Sequence, residues 1–138
     1  MKRTREDAAR RRQIADAAAG LPPVHVVLYA CVPPSHDAET TVRGLHRYAQ
    51  ARDWTPAAVL LDHSPHATPV ELREQWTRVV QMIERREASG IVTPVRSMCG
   101  YTDTERRQID TWLRAHGAFL AVSTRAGQVL APPAETGR

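Results

Sequence analysis

Lysine is nearly absent from this 138-residue chain: of its 19 basic residues, 18 are arginine and only Lys2 is lysine. Aromatic residues make up 5%, and cysteine occurs twice, at Cys31 and Cys99. Two cysteines are too few for a disulfide scaffold and lack the spacing of a zinc site, so both read as reduced thiols. No apolar run approaches the about 20 residues that a membrane-spanning helix needs, and no membrane partner is expected. The N-terminus, Met1-Lys2-Arg3-Thr4-Arg5, lacks the apolar core of a signal peptide, which makes the cytoplasm the expected location. Neither a Gly-x-Gly-x-x-Gly fingerprint nor a Gly-Lys-Ser/Thr phosphate loop occurs, so ordinary dinucleotide and P-loop binding fall away. No histidines stand at metal-binding helical spacing, and His63 and His66 make only a loop pair. Neither a metal nor a cofactor is expected.

What is present fits one soluble domain. Hydrophobic residues make up 42% and charged residues 25%, close to the globular average, and 138 residues suit a single core better than two. The net charge of +4 is unevenly placed. Residues 1–20 hold six basic and three acidic side chains, whereas the remaining 118 hold 13 and 12. Three parts follow: a basic helical arm and linker over 1–23, an α/β domain over 24–125 and a loose tail over 126–138. Lys2, Arg3, Arg5, Arg10, Arg11 and Arg12 in the arm are candidates for nucleic-acid contact, since arginine pairs bidentately with phosphate. Ile14 is the only large apolar residue there, so the arm has no stripe to bury.

Beyond Gly20-Leu21-Pro22-Pro23, the run from His25 to Val32 is apolar and β-branched, the pattern of a buried central strand. Pro33-Pro34 ends it. Val42, Leu45 and Ala49 recur at helical spacing between Thr40 and Asp53, and Ala57–Leu61 reads as a second buried strand. Thr68-Pro69-Val70-Glu71 has the form of a capping box with proline at the first helical position. It predicts a helix with Leu72, Trp76, Val79, Val80 and Ile83 on one face. Ile91-Val92-Thr93 opens a third strand. Thr102-Asp103-Thr104-Glu105 is a second capping box, starting a helix that turns Ile109, Trp112 and Leu113 inward and stops at Gly117. Phe119–Val122 is the fourth strand. This alternation predicts an open, largely parallel, Rossmann-like sheet of about four strands with helices on both faces. Ligands of such sheets bind at the carboxyl ends of the strands, which directs attention to residues 31–39, 62–68 and 94–103. Ser35, His36 and Asp37 in the first loop are triad residue types, but consecutive residues cannot form a relay.

Val26-Val27-Leu28-Tyr29-Ala30-Cys31-Val32-Pro33, then Leu45-His46-Arg47-Tyr48-Ala49-Gln50-Ala51-Arg52-Asp53-Trp54, then Val59-Leu60-Leu61-Asp62 resemble the catalytic domain of the resolvase/invertase (serine) site-specific recombinases, over about residues 24–125. The resemblance implies a resolvase-like fold. It also implies a site in which a Tyr-x-Arg-x-Ser strand end supplies the serine nucleophile and an arginine for the phosphate charge. Here those positions read Tyr29-Ala30-Cys31-Val32-Pro33: the arginine is cysteine and the nucleophile proline. The family's Lys-Leu-Asp-Arg-Leu-x-Arg segment falls on Pro94-Val95-Arg96-Ser97-Met98-Cys99-Gly100, where none of its four charged positions is matched. A one-residue slip brings Arg96 near the first arginine. Tyr29, Cys31, Pro33, Arg96, Ser97 and Gly100 are thus the positions of a degenerate site, and Ser35 replaces the lost serine only if the loop is rebuilt.

Three functions compete. The first is a resolvase-like domain without strand cleavage, acting as a DNA-associated or regulatory module whose partners are DNA, through the arm and Arg96, or a recombinase or other protein. The second is a small-molecule or redox enzyme using Cys31 and Cys99, brought to one rim if strands one and three are neighbours, with Arg96, Ser97, His36 and His63 near by. The third is a protein–protein interaction module. Trp54, Trp76 and Trp112, at helix-associated positions, read as core rather than docking surface, a judgement that an exposed apolar patch would shift.

Overall fold

The computed structural model describes residues 23–35 and 37–124. The basic arm, His36 and the tail from 125 lie outside the described residues. The apolar run forms β1 (Val24–Cys31), flanked on one side by β2 (Trp54–Asp62) and on the other by β3 (Gly90–Thr93), which in turn pairs with β4 (Phe119–Val122). The order is β2-β1-β3-β4 and every pairing is parallel. Residues 26–31 of β1 are fully buried because strands cover both edges and helices both faces.

The second strand differs from its sequence reading. It is longer than Ala57–Leu61 and lies at an edge, with Val59 39% exposed. Only an edge strand tolerates Pro56, which has no N–H to give, and the register shifts between Val26 and Val27, inserting Ala57 opposite β1.

Helix α1 (Ala38–Ala51) covers one face through Leu45 and Ala49. Asp37 caps it, its carboxylate accepting from the Thr40 N–H at 3.2 Å and from the Thr40 hydroxyl. Those bonds to the charged form hold the Asp37 carboxyl below its ordinary pKa. On this face Tyr48 meets Trp54 at 6.1 Å, and Trp54 meets Phe119 at 4.9 Å between ring centroids. Trp54 therefore opens a strand instead of belonging to a helix. The Phe119 ring rests on Gly90, where an added Cβ would stand 2.3 Å from its Cζ. No residue but glycine fits under that ring.

On the opposite face Tyr29 packs edge-on against Trp76 of α2 (Trp76–Glu84) at 5.2 Å, and Trp76 meets Trp112 of α3 (Asp103–Ala115) at 6.5 Å. Thr102 caps α3 by accepting from the Glu105 N–H. Its C-terminus closes on Gly117 at φ +65°, with Ala118 donating to the Leu113 carbonyl and Gly117 to Arg114, a Schellman ending.

The helix predicted from the first capping box does not form as one piece. A single 3-10 turn (Val70–Leu72) is followed by extended Arg73 at φ −90°, ψ 134°, and α2 begins only at Trp76. Glu71 and Leu72 are exposed, not capping and not inward. The physical reason is Arg73, whose buried guanidinium binds carbonyls of the preceding loop, contacts that a continuous helix would break.

Candidate functional site at the carboxyl edge

All four strands end at the same edge, and one residue organises the loops there. Arg73 is 1% exposed. Its Nε donates to the Thr68 carbonyl at 3.0 Å and its Nη2 to the His66 carbonyl at 2.9 Å. Its Nη1 donates to the Met98 carbonyl at 2.5 Å and to the Tyr29 hydroxyl at 3.3 Å. One guanidinium thus ties the loop after β2 and the loop after β3 to β1. Its charge is balanced through a phenol: the Tyr29 hydroxyl donates to Asp62 Oδ2 at 2.8 Å, and Asp62 Oδ1 accepts from the Gln75 N–H at 2.9 Å, at the start of α2. The carboxylate so placed also meets the positive end of that helix. Burial is the main cause that raises the Tyr29 pKa, and the Asp62 bond works in the same direction. Tyr29 therefore stays protonated.

Cys31 and Cys99 do share this rim, both buried. The Cys31 thiol donates to the Ser64 carbonyl at 3.1 Å. Burial pushes the Cys31 thiol up and the Cys99 thiol up to about 12, by more than the nearby charge of Arg73 pulls them down. Such thiols are poor nucleophiles at neutral pH. Thr93 Oγ1, fully buried beside Cys99, makes no hydrogen bond of normal geometry with a described residue.

The loop histidines hold the end of β1. His63 Nδ1 donates to the Val32 carbonyl at 2.9 Å and His66 Nε2 to the Cys31 carbonyl at 2.7 Å, since a carbonyl can only accept. Among the described residues no three His, Cys, Asp or Glu side chains gather as a metal site.

Of the positions singled out in the sequence, Pro33 follows β1 half-buried and Ser35 is exposed in the loop. Arg96 lies in the 3-10 turn Arg96–Cys99 with Ser97, and it is committed to its own surroundings. Its Nη1 donates to the Cys99 carbonyl, and its Nη2 to the Arg106 carbonyl at 3.2 Å and to Asp110 Oδ1 at 2.8 Å. Gly100 adopts φ +121° and abuts Arg106. Among the described residues, Arg73 and Arg96 are thus both engaged by groups of the domain itself.

Arg73, Asp62 and Glu105 are the residues that sequence reasoning missed. One signal was available for Arg73. In the predicted helix it stood three residues before Trp76, on the inward stripe, where a charge requires a partner.

Comparison of the fold with solved structures places it among serine recombinase catalytic domains. The chain matches the C-terminal catalytic domain of ISC1926 TnpA, an IS607-like serine recombinase, with a TM-score of 0.66 and 19% identity, covering 73% of this chain and 71% of that one. It matches the N-terminal catalytic domain of TP901-1 integrase with a TM-score of 0.63 and 15% identity, covering 71% and 76%. For the first open reading frame of transposon ISC1904 from Sulfolobus solfataricus P2, the TM-score is 0.60 and the identity 20%, covering 80% and 73%. No family model matches the sequence, and no curated protein does. The architecture is a resolvase-like catalytic-domain fold, a likeness carried by structure at low identity.

Proposed function

We propose that this chain uses the resolvase-like fold without DNA strand-cleavage chemistry, as a DNA-associated or regulatory binding module. One observation carries the reading: among the described residues at the carboxyl edge, the buried Arg73 and the half-buried Arg96 are both engaged by the domain itself, Arg73 by three carbonyls and the Tyr29 hydroxyl and Arg96 by two carbonyls and Asp110. The first-strand positions that hold arginine and serine in the resembling family are Cys31, a buried thiol, and Pro33, which has no nucleophile. Loss of both clamp and nucleophile removes orders of magnitude of rate each. DNA contact then rests on Lys2, Arg3, Arg5, Arg10, Arg11 and Arg12.

The test combines two assays on the full chain. Incubation with supercoiled plasmid, followed by denaturing electrophoresis, is expected to give neither nicking nor a covalent protein–DNA adduct. A covalent adduct lost in Ser35→Ala would overturn the reading. Gel shifts on nonspecific duplex should show binding that weakens steeply with salt and disappears when residues 1–20 are removed. Duplex binding that survives this deletion would move the DNA contact to the domain.

A protein partner has its own support. Leu72 and Tyr101, 71% and 50% exposed, are large apolar side chains at this same rim. The redox alternative has less, since burial pushes both thiols up.

A further inference from the structure

We draw no further inference here: the strongest candidate, the surface patch of exposed Leu72 and Tyr101 at the carboxyl rim, on segments that the Glu105 carboxylate joins through the Val70 and Tyr101 N–H groups, carries nothing because nothing in the structure shows what covers it.

Discussion

Replacing Arg73 by methionine removes a buried cation while roughly keeping the volume of its stem. Three carbonyls, of Thr68, His66 and Met98, lose their guanidinium donor, and the Tyr29 hydroxyl loses its own. Asp62, 3% exposed, is then left with only the Tyr29 hydroxyl and the Gln75 N–H as partners and no cation near by. Removing one partner of a buried charge pair costs about 3–5 kcal/mol. Each buried acceptor left without a donor costs about 1–3 kcal/mol where water cannot reach it. Relaxation of the loops recovers part of this, so the expected loss is about 4 kcal/mol, a large fraction of the roughly 5–15 kcal/mol that stabilises an ordinary domain. For a unit of this size the melting temperature should fall by on the order of 20 °C. Urea unfolding followed by tryptophan fluorescence reports it directly, because Trp76 packs on Tyr29. Tyr29→Phe should cost about 1–2 kcal/mol, and the two changes together less than the sum, since both break one network. Arg73→Lys should rescue little, because one ammonium cannot reproduce the planar fork that reaches two loops. A loss below about 1 kcal/mol for Arg73→Met would refute the view that this residue holds the rim together.

Three further outcomes are expected. Cys99, pushed up to about 12 in the folded chain, ionises near 8.5 when unfolded; its contribution is therefore complete below about pH 8.5 and declines as pH rises towards 12. Unfolding free energies measured across that range should fall with a slope that Cys99→Ala reduces by up to about 1.4 kcal/mol per pH unit. Gly90→Ala drives a methyl into the Phe119 ring and should cost about 1–3 kcal/mol, with partial recovery in Gly90→Ala/Phe119→Leu; a neutral single variant would contradict the close approach. Glu105→Gln leaves one acceptor oxygen for two N–H donors, so hydrogen exchange should quicken at either Val70 or Tyr101, with a stability loss of about 1 kcal/mol.

The alternation of strands and helices in a parallel sheet was legible because each strand is a short apolar run bounded by proline, glycine or a cap, and because parallel strands force intervening connections. The second capping box was legible for the same local reason: Thr102 bonds the Glu105 N–H three residues on. The first has the same pattern and failed. Glu71 turned to solvent while Arg73, a non-local side chain, bound carbonyls on either side of the sheet's edge. Local propensity was overridden by a buried charge whose acceptors lie up to 44 residues away in sequence. The edge position of β2 was hidden likewise, because Ala57–Leu61 is as apolar as a central strand and only Pro56 marks it. The rim positions Cys31, Pro33 and Arg96 could be named in advance, but whether a cation there faces outward depends on acceptors that no single segment reveals.

Cys31 and Arg73 explain each other. Both side chains reach the face of the sheet that carries Tyr29 and Thr93, and the thiol lies in the field of the guanidinium. An arginine at position 31 would set two cations against Asp62 alone in a site closed to water. That arrangement is stable only if an anion such as a phosphodiester enters between them or if one guanidinium swings out to solvent. With a neutral, hydrogen-bonded thiol there instead, Arg73 is free to bind the carbonyls of Thr68, His66 and Met98 and to close the edge without a guest.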